Sequence, residues 1–457
     1  MSVKTIGIVG GGIGGLGAAW LLDSRYEVTL LERNAYVGGH SNTLEVEDPR
    51  GAFPVDTGFM VFNRRNYPLL TAMFKHLDVA TYPTSMSFAA SLEGGRIEYG
   101  GDSLNTLFGA RANLLNWRFL WMVKEILQFN TAAKNYINSN PGDTLTVGDF
   151  LQRGRYSDRF ASHYLLPMAA AIWSCPTEDM RDFPFLSFAR FFANHGLLDL
   201  VDRPEWETVR GGSQAYVQAI LARLRGRCLA DTPVQRVRRR EQGVEVETAA
   251  GERLQFDAVV MGCHADEALS LIESPTPLER DILGDFRYQT NQVFLHTDSA
   301  LMPKRRRVWS SWNYIQQPGE GADRPVTVTY WMNSLQDLPS DRDVFVSLNP
   351  RVAPRSDLIL AEMTYEHPMF DASATEAQRR IGEIQGRDRI WFSGAYLGYG
   401  FHEDGLRAAV DVARGLDVRP PWESAAPSTA AGDGAAAASG SGADSGAGRS
   451  SMRVLPS

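Results

Sequence analysis

Apolar runs of strand length alternate with a helical pattern at the start of the chain. Residues 6–9 and 28–31 form two such runs, and residues 16–22 between them have a helical composition. Further apolar runs at residues 256–261 and 389–392 have the length of buried strands. Strand, helix and strand in this order predict a βαβ unit with parallel strands, and hence an α/β fold.

One later segment, residues 107–129, has a helical pattern that is apolar around most of its circumference. A narrow polar stripe recurs at every seventh residue: Arg111, Arg118 and Glu125. A helix of this kind is usually buried. The alternative is a helix that lies in a membrane interface, with Trp117 and Trp121 at the depth of the headgroups and the arginines near phosphate. Both interpretations remain open at this point.

Composition narrows the class of protein. The chain has 457 residues, 44% of them apolar, which is enough for two domains or for one with large insertions. Its net charge of -8 argues against a nucleic-acid partner. The three cysteines, at positions 175, 228 and 263, have no metal-binding spacing, so we expect no metal site. Because no signal peptide or membrane-spanning apolar run is evident, we expect a cytoplasmic protein.

The end of the chain has a different composition. From Glu423 onward the sequence is mainly Ala, Gly, Ser and Asp. A segment of this kind buries too little apolar surface to offset its chain entropy. We therefore expect residues 423–457 to be disordered.

A glycine-rich motif lies where the first strand should end and the first helix should begin. The sequence Gly10-Gly11-Gly12-Ile13-Gly14-Gly15 contains G-x-G-x-x-G, and Glu32 ends the second apolar run. Gly12 would let the backbone approach a pyrophosphate, to which the helix N-terminus would offer free N–H groups. Glu32 would accept hydrogen bonds from the hydroxyl pair of a ribose. This context predicts a dinucleotide site rather than a structural glycine turn.

Later segments resemble parts of the same nucleotide domain. They are Gly38-Gly39-His40-Ser41, Asp56-Thr57-Gly58-Phe59, Arg210-Gly211-Gly212-Ser213, Ser393-Gly394-Ala395 and Gly400-Phe401-His402-Glu403-Asp404-Gly405. Together the motifs resemble those of the FAD-dependent amine oxidase superfamily, over residues 1–422. The resemblance implies a Rossmann-like FAD-binding domain assembled from residues 1–80, 205–270 and 386–422. It implies an α+β substrate domain from residues 81–204 and 271–385.

The resemblance also implies an FAD site, residue by residue. The pyrophosphate and the adenosine would contact Gly10, Gly12, Ile13, Gly14, Gly15, Glu32, Arg33 and Val234. The rest of the cofactor would contact Gly39, His40, Ser41, Gly58, Phe59, Met60, Val61, Gly394 and Ala395. A helix beginning near Gly405, with Asp404 and Leu406 beside it, would direct its N-terminus at the flavin ring. There it would stabilise the negative charge of the reduced ring.

Two departures from this family narrow the chemistry. Amine oxidases of this class have a lysine that holds a water against the flavin, on a strand of the substrate domain. The matching strand here, residues 290–296, offers Asn291 or Gln292 instead. No cysteine follows Cys263, which excludes covalent attachment of the flavin through a C-terminal cysteine. We therefore expect non-covalent FAD and an enzyme that is not a typical amine oxidase.

Some sequence segments resemble those of a narrower branch of the superfamily. Trp309-Ser310-Ser311-Trp312-Asn313-Tyr314 and the segment Gly400–Gly405 are similar to bacterial flavoproteins related to furan fatty acid desaturases. Those flavoproteins act beside methyltransferases of the cyclopropane-fatty-acid-synthase type. The similarity implies removal of a hydride and a proton from a methyl-branched or unsaturated fatty acyl chain in a phospholipid. It also implies two partners, namely such a methyltransferase and the inner face of the membrane.

Three residues are candidates for the chemistry itself. His402, in a turn expected beside the flavin, would act as a base or orienting group, or would only hydrogen-bond its surroundings. His296, beside the missing lysine, is a second candidate base, or else a satisfied histidine at a strand end. Tyr399 would flank the flavin, or would be ordinary packing.

Two rival functions stay open. One is the oxidation of an amine or of another lipophilic substrate. An anionic pocket with an aromatic cage would favour an amine, whereas a long neutral tunnel would favour an acyl chain. The other rival is a non-catalytic, FAD-bound partner of a lipid methyltransferase.

Overall fold

The computed structural model describes residues 3–101, 103–139, 145–173, 175–199, 204–316 and 326–423. Beyond Glu423, the predicted disordered tail lies outside these residues. The strands are β1 (Thr5–Val9), β2 (Glu27–Leu31), β3 (Thr43–Val46), β4 (Phe53–Asp56), β5 (Phe62–Asn63), β6 (Thr81–Thr84), β7 (Phe88–Leu92), β8 (Ile97–Gly100), β9 (Trp206–Val209), β10 (Arg227–Leu229), β11 (Val234–Arg240), β12 (Gly243–Thr248), β13 (Arg253–Phe256), β14 (Ala258–Met261), β15 (Tyr288–His296), β16 (Trp312–Ile315), β17 (Thr327–Trp331), β18 (Phe345–Leu348), β19 (Ile359–Pro368) and β20 (Ile390–Phe392). The helices are α1 (Ile13–Leu22), α2 (Pro68–Leu77), α3 (Leu104–Leu107), α4 (Trp117–Ser139), α5 (Val147–Arg153), α6 (Asp158–Phe160), α7 (Leu166–Trp173), α8 (Phe185–Asn194), α9 (Gln214–Leu221), α10 (Ala265–Leu271), α11 (Pro277–Leu283), α12 (Met332–Leu335), α13 (Ala372–Arg380) and α14 (His402–Gly415).

A parallel sheet of five strands carries the glycine motif. Its order is β10-β2-β1-β14-β20, and α1 connects β1 to β2 as the predicted βαβ unit. Nearly every residue of β1 and β14 is buried, as expected for a parallel sheet covered on both faces. Helices α1 and α14 pack side by side, where Gly17 allows a close approach to Leu406 and Ala409. The α/β fold with a Rossmann-like parallel sheet is thereby confirmed.

A mixed sheet of seven strands accompanies the parallel one. Its order is β19-β15-β18-β17-β16-β7-β8, and its neighbours are antiparallel except for the parallel pair β16 and β7. All seven strands come from the segments predicted for the substrate domain, whereas the parallel sheet draws its strands from those predicted for the FAD-binding domain. The domain boundaries stay a prediction, because residues 1–422 form one compact unit.

The helix predicted over residues 107–129 differs from the observed one. Helix α3 ends at Leu107, a 3₁₀ turn covers residues 111–115, and α4 begins only at Trp117. Helix α4 begins at this point because the side chain of Asn116 accepts hydrogen bonds from the N–H groups of Arg118 and Phe119, in the manner of an N-cap.

One member of the polar stripe on this segment is buried. Glu125 is 4% exposed and accepts hydrogen bonds from the N–H and Oγ of Ser157. The side of α4 that bears Glu125 therefore faces the protein, with Phe119, Met122 and Phe129. In the described part of the chain, no helix is both long and apolar enough to cross a bilayer.

Candidate active site

One cavity of about 890 Å³ extends from the carboxyl ends of the parallel strands to the mixed sheet. Its wall includes Val9, Leu31 and Gly262 near the ends of β1, β2 and β14. It also includes Tyr330 of β17 and Leu348 of β18. Ligands of open α/β sheets bind at the carboxyl ends of the strands, so the cavity lies where the fold predicts a site.

Most residues that the sequence assigned to the cofactor lie in this wall. They are Gly10, Gly12, Ile13, Gly14, Glu32, Arg33, Gly39, His40, Gly58, Phe59, Met60, Val61, Val234, Gly394 and Ala395. Five others are not among the described wall residues, namely Gly15, Ser41, Asp404, Gly405 and Leu406. Direct contact with FAD stays a prediction for the first group. It stays a prediction for the second group as well.

Gly12 and Gly15 serve different purposes in the glycine motif. A Cβ atom added at Gly12, the N-cap of α1, would meet no atom within 4 Å. One added at Gly15 would lie 1.9 Å from the carbonyl oxygen of Gly10. Gly15 is thus needed for the packing of helix on strand, whereas Gly12 faces empty space beside the N–H groups of a helix N-terminus. That space suits a pyrophosphate.

The acid at the end of β2 is held in place at the cavity wall. Glu32 is 5% exposed, and its Oε2 and Oε1 atoms accept the N–H groups of Gly11 (2.7 Å) and Asn34 (2.8 Å). Arg33 forms an ion pair with Glu267 at the same end of the cavity. A carboxylate fixed beside the glycine motif is the arrangement expected for binding a ribose.

A group of acidic and imidazole side chains lies near this ion pair. His264, Glu267 and Glu366 each place a potential metal ligand within 4.8 Å of the others. Glu267 is already paired with Arg33, and His264 stacks on Tyr288. Among the described residues, this is the group that could hold a metal ion.

Two residues in the middle of the cavity were missed by sequence reasoning. Tyr365 and His367 lie on β19, and both contact the ring of His40, with centroids 4.8 and 5.1 Å apart. Burial lowers the pKa of His367 to about 4 and the pKa of His40 well below its usual value. The Nε2 atom of His40 is buried without a hydrogen-bond partner. An unpartnered nitrogen in the wall is suited to a polar group of a bound cofactor.

Asn291, at the position where the family has lysine, is connected to the cavity wall through a hydrogen bond to His367. Asn291 is fully buried, and its Nδ2 lies 2.8 Å from the Nδ1 of His367. Its Oδ1 accepts a hydrogen bond from Asn349. Neither Asn291 nor Gln292 is among the described wall residues, whereas His367, to which Asn291 is bonded, is one of them.

His402 begins the C-terminal helix, which starts three residues earlier than predicted. Asp404 caps it by accepting the N–H groups of Tyr399 and Phe401. The Nε2 of His402 is hydrogen-bonded to Ser41, and its ring stacks on Phe59 with centroids 3.7 Å apart. Burial lowers its pKa to about 3. An imidazole held on two sides with a lowered pKa favours the orienting role, while the role of a base stays a prediction.

His296 lies away from the cavity. It is fully buried, with its Nε2 2.8 Å from the Oγ of Ser347 and its Nδ1 accepting the N–H of Asp298. Both ring nitrogens are therefore occupied, and His296 is not among the described wall residues. The structure supports the alternative, a satisfied histidine at a strand end.

The end of the cavity beyond His402 is mainly apolar and aromatic, with the uncharged polar side chains of Thr84, Ser85 and Ser87 beside Met86 and Phe88. Its described wall includes Tyr67, Met86, Phe88, Tyr99, Tyr164, Met168, Ile172, Trp173, Phe191, Leu197, Trp206, Trp312, Tyr330, Leu348, Phe370 and Tyr399. Tyr164 lies in a π-helical turn between α6 and α7, a geometry frequent at functional sites. The carboxylate described at this end is Glu205, which is exposed at the rim. His195 is neutral, because burial lowers its pKa to about 4.

Comparisons with known proteins show the family of the chain. The sequence family described as flavin-containing amine oxidoreductase matches residues 13–361. A putative flavin-containing monoamine oxidase, AofH, from Mycobacterium tuberculosis is 27% identical over 347 residues, covering 73% of this chain and 71% of that protein.

Solved structures show the same fold. A CLA-producing fatty acid isomerase from P. acnes matches with a TM-score of 0.63 and 16% identity, covering 90% of this chain and 98% of that one. Cyclohexylamine oxidase from Brevibacterium oxydans matches with a TM-score of 0.64 and 15% identity, covering 91% of this chain and 99% of that one. At such identities the likeness concerns the fold alone.

Proposed function

The chain belongs to the flavin-containing amine oxidoreductase family, with FAD as its cofactor. We propose that its substrate is a fatty acyl chain. The enzyme would remove a hydride and a proton from a methyl-branched or unsaturated chain, carried in a phospholipid. One observation carries the proposal, namely the apolar and uncharged lining of the cavity beyond His402.

The lining selects against a charged substrate. An ammonium group taken into this space would lose its hydration, and the nearest described carboxylate at this end, Glu205, is exposed at the rim. Burying an unpaired charge costs several kcal/mol. A methylene chain loses no hydrogen bonds on entry and gains about 0.8 kcal/mol for each buried CH₂ group. The cavity therefore favours an acyl chain over an amine.

The residues present fit FAD and define what the protein itself contributes. FAD supplies the redox chemistry, because it accepts the two electrons and one hydrogen that leave the substrate as a hydride. The second hydrogen leaves as a proton to water or to a basic group. Burial lowers the pKa values of His40, His195, His367 and His402, which favours the neutral form of these four imidazoles, and His402 begins α14. The aromatic walls position the chain and exclude water from it.

A second candidate is the oxidation of an amine. It is favoured by the names of two similar proteins, a putative monoamine oxidase and a cyclohexylamine oxidase. Tyr396 and Tyr399 in the cavity wall offer the aromatic faces that an amine site uses. The neutral lining and the absence of lysine at position 291 count against it.

The test is anaerobic reduction of the bound flavin, which is monitored by the absorbance of the flavin at its long-wavelength maximum. The purified protein is mixed with phospholipids that carry methyl-branched or unsaturated chains. The matched control is a phospholipid with straight, saturated chains. Cyclohexylamine and benzylamine serve as amine probes. We expect bleaching by the branched or unsaturated lipids and none by the amines. Bleaching by the amines alone would establish the second candidate, and no bleaching by any probe would favour a non-catalytic partner of a methyltransferase.

A further inference from the structure

Large apolar side chains are exposed on one side of the segment from residue 114 to residue 127. Leu115 is 93% exposed and Trp117 is 69% exposed. The others are Leu114, Leu120, Trp121 and Leu127, each between 44% and 49% exposed. We call these six side chains the 114–127 face. They make up most of the large exposed hydrophobic residues in the described part of the chain.

The face results from the way α4 packs. Its inward side is already filled by Phe119, Met122 and Phe129, which are each at most 1% exposed. Trp117, Trp121 and Lys124 follow at helical spacing on the opposite side. A helix apolar on both sides would ordinarily be covered on both. Clustered exposed apolar residues of this kind mark an interaction site.

Positive charge accompanies the face. The guanidinium of Arg118 lies 5.5 Å from the ring of Trp117, and the ammonium of Lys124 lies 4.4 Å from that of Trp121. Within the described residues, neither cation has an acidic partner at ion-pair distance. Indole rings with cations beside them are typical of a helix at the headgroup level of a membrane. This local charge is opposite in sign to the net charge of the chain.

The inward side of α4, opposite the face, contacts the wall of the cavity. Phe119, on the inward side of α4, contacts Tyr99 with ring centroids 5.7 Å apart, and Tyr99 lines the apolar end of the cavity. Gly101 lines the cavity and is exposed, three residues before the start of α3. Part of the cavity rim therefore lies close in sequence to the 114–127 face.

We propose that the 114–127 face is a docking surface for an anionic lipid bilayer. The leucines and tryptophans enter the interface between headgroups and acyl chains, and Arg118 and Lys124 contact lipid phosphates. Helix α4 lies on the membrane and does not cross it. The docked protein holds the rim near Gly101 toward the bilayer. The proposal concerns binding to lipid and holds whether or not the lipid is also the redox substrate.

The test is flotation of the FAD-loaded full chain with vesicles of phosphatidylglycerol and phosphatidylcholine, or of phosphatidylcholine alone. We expect binding to the anionic vesicles that weakens as salt is raised. The double variant Leu115→Glu/Trp117→Glu should lose at least tenfold in affinity, whereas Val352→Glu, at an exposed valine elsewhere, should bind as the wild type does. Arg118→Gln/Lys124→Gln, which removes both cations, should lose the preference for the anionic vesicles. Flavin absorbance and melting temperature show that each variant is folded.

A protein partner at the same face is the competing outcome. Sedimentation velocity of the wild type and of the double variant measures whether the face joins two copies of the chain. A wild type that ignores vesicles at low salt would overturn the proposal, as would a double variant that binds vesicles normally but changes its oligomeric state. Because these readouts involve no flavin reduction, their failure is distinguishable from failure of the proposed acyl substrate.

Discussion

The Nε2 atom of His402 lies 2.9 Å from the Oγ atom of Ser41, although 361 positions separate the two residues in the chain. Ser41 is in turn 2.5 Å from the hydroxyl of Tyr216. The start of α14 is thereby tied to the loop that follows β2 and to helix α9. The ring of His402 also covers Phe59. This contact network holds the cavity wall in shape where the predicted cofactor and substrate ends meet.

Replacing Gly12 by glutamate should abolish FAD binding without unfolding the protein. The added side chain meets no protein atom within 4 Å at its Cβ, so the fold tolerates it, but its carboxylate would occupy the space for the pyrophosphate. The measurement is the ratio of flavin to protein absorbance after purification. Gly382→Glu is the matched control, because Gly382 has equally open surroundings away from the cavity. A Gly12→Glu protein that purifies with full FAD content would refute the site.

Alanine at Gly15 should destabilise the protein, and alanine at Gly12 should not. The methyl group at position 15 would collide with the carbonyl of Gly10, whereas Gly12 has open space and a φ of -68° that alanine adopts readily. Overpacking of this kind costs about 1–3 kcal/mol. The measurement is denaturant unfolding of the FAD-free proteins. Equal stability of the two variants would contradict the distinct purposes assigned to these glycines.

The variant His402→Asn should retain the pH dependence of flavin reduction. With a pKa of about 3, His402 does not titrate between pH 5.5 and 8.5, and the asparagine amide can still bond to Ser41. We expect a rate within about fivefold of the wild type and a profile of the same shape. Ser41→Ala, which removes the bond from the other side, is the companion variant. The disappearance of an ionisation from the profile would identify His402 as the base after all.

Buried histidines should make the protein sensitive to acid. His195 has its pKa lowered by burial to about 4, whereas the unfolded chain protonates it near 6.5. Protons therefore bind preferentially to the unfolded chain, and stability falls as pH falls from about 6.5 to 4. His195→Phe preserves the stacking on Phe191 and removes this titration. Its melting temperature should fall less between pH 7 and pH 5 than that of the wild type, and an equal fall would exclude the contribution.

A carboxylate in the apolar end should impair the reaction with acyl chains. Met168→Glu places an acid in the wall, where Met168 is 7% exposed, and Met168→Leu is the control that conserves volume. We expect lipid-dependent flavin reduction to slow at least tenfold, or about 1.4 kcal/mol, with FAD content unchanged. Reduction by amines should increase instead of decreasing. If the lipid reaction is unaffected, the acyl chain does not occupy this end.

Much of the predicted cofactor site rests on signals that are local in the chain. The glycine motif, the acid at the end of β2 and the turn at Gly394 each follow directly from a strand within a few residues. The same residues meet the backbone requirements of a tight turn and of the start of a helix. The prediction of non-covalent FAD rests on the same kind of local evidence, the absence of cysteine after Cys263. These features are independent of how distant parts of the chain pack.

The substrate side depended on packing between distant segments. Asn291 and His296 lie on the same strand, yet Asn291 bonds to His367 of β19 and His296 bonds to Ser347 of β18, away from the cavity. Periodicity shows which positions of a strand share a face, but the neighbouring strands decide what that face meets.

The sequence by itself thus determined the α/β fold, the family and the dinucleotide motif, because each rests on residues close together in the chain. Only the tertiary structure decided which polar groups enter the cavity and which side of α4 faces outward. Glu125 has the polarity of a surface residue but is buried, where it accepts a hydrogen bond from Ser157. Trp117 has the polarity of a core residue but is exposed. The physical reason is that burial depends on the partners a side chain finds, and these partners come from remote parts of the chain.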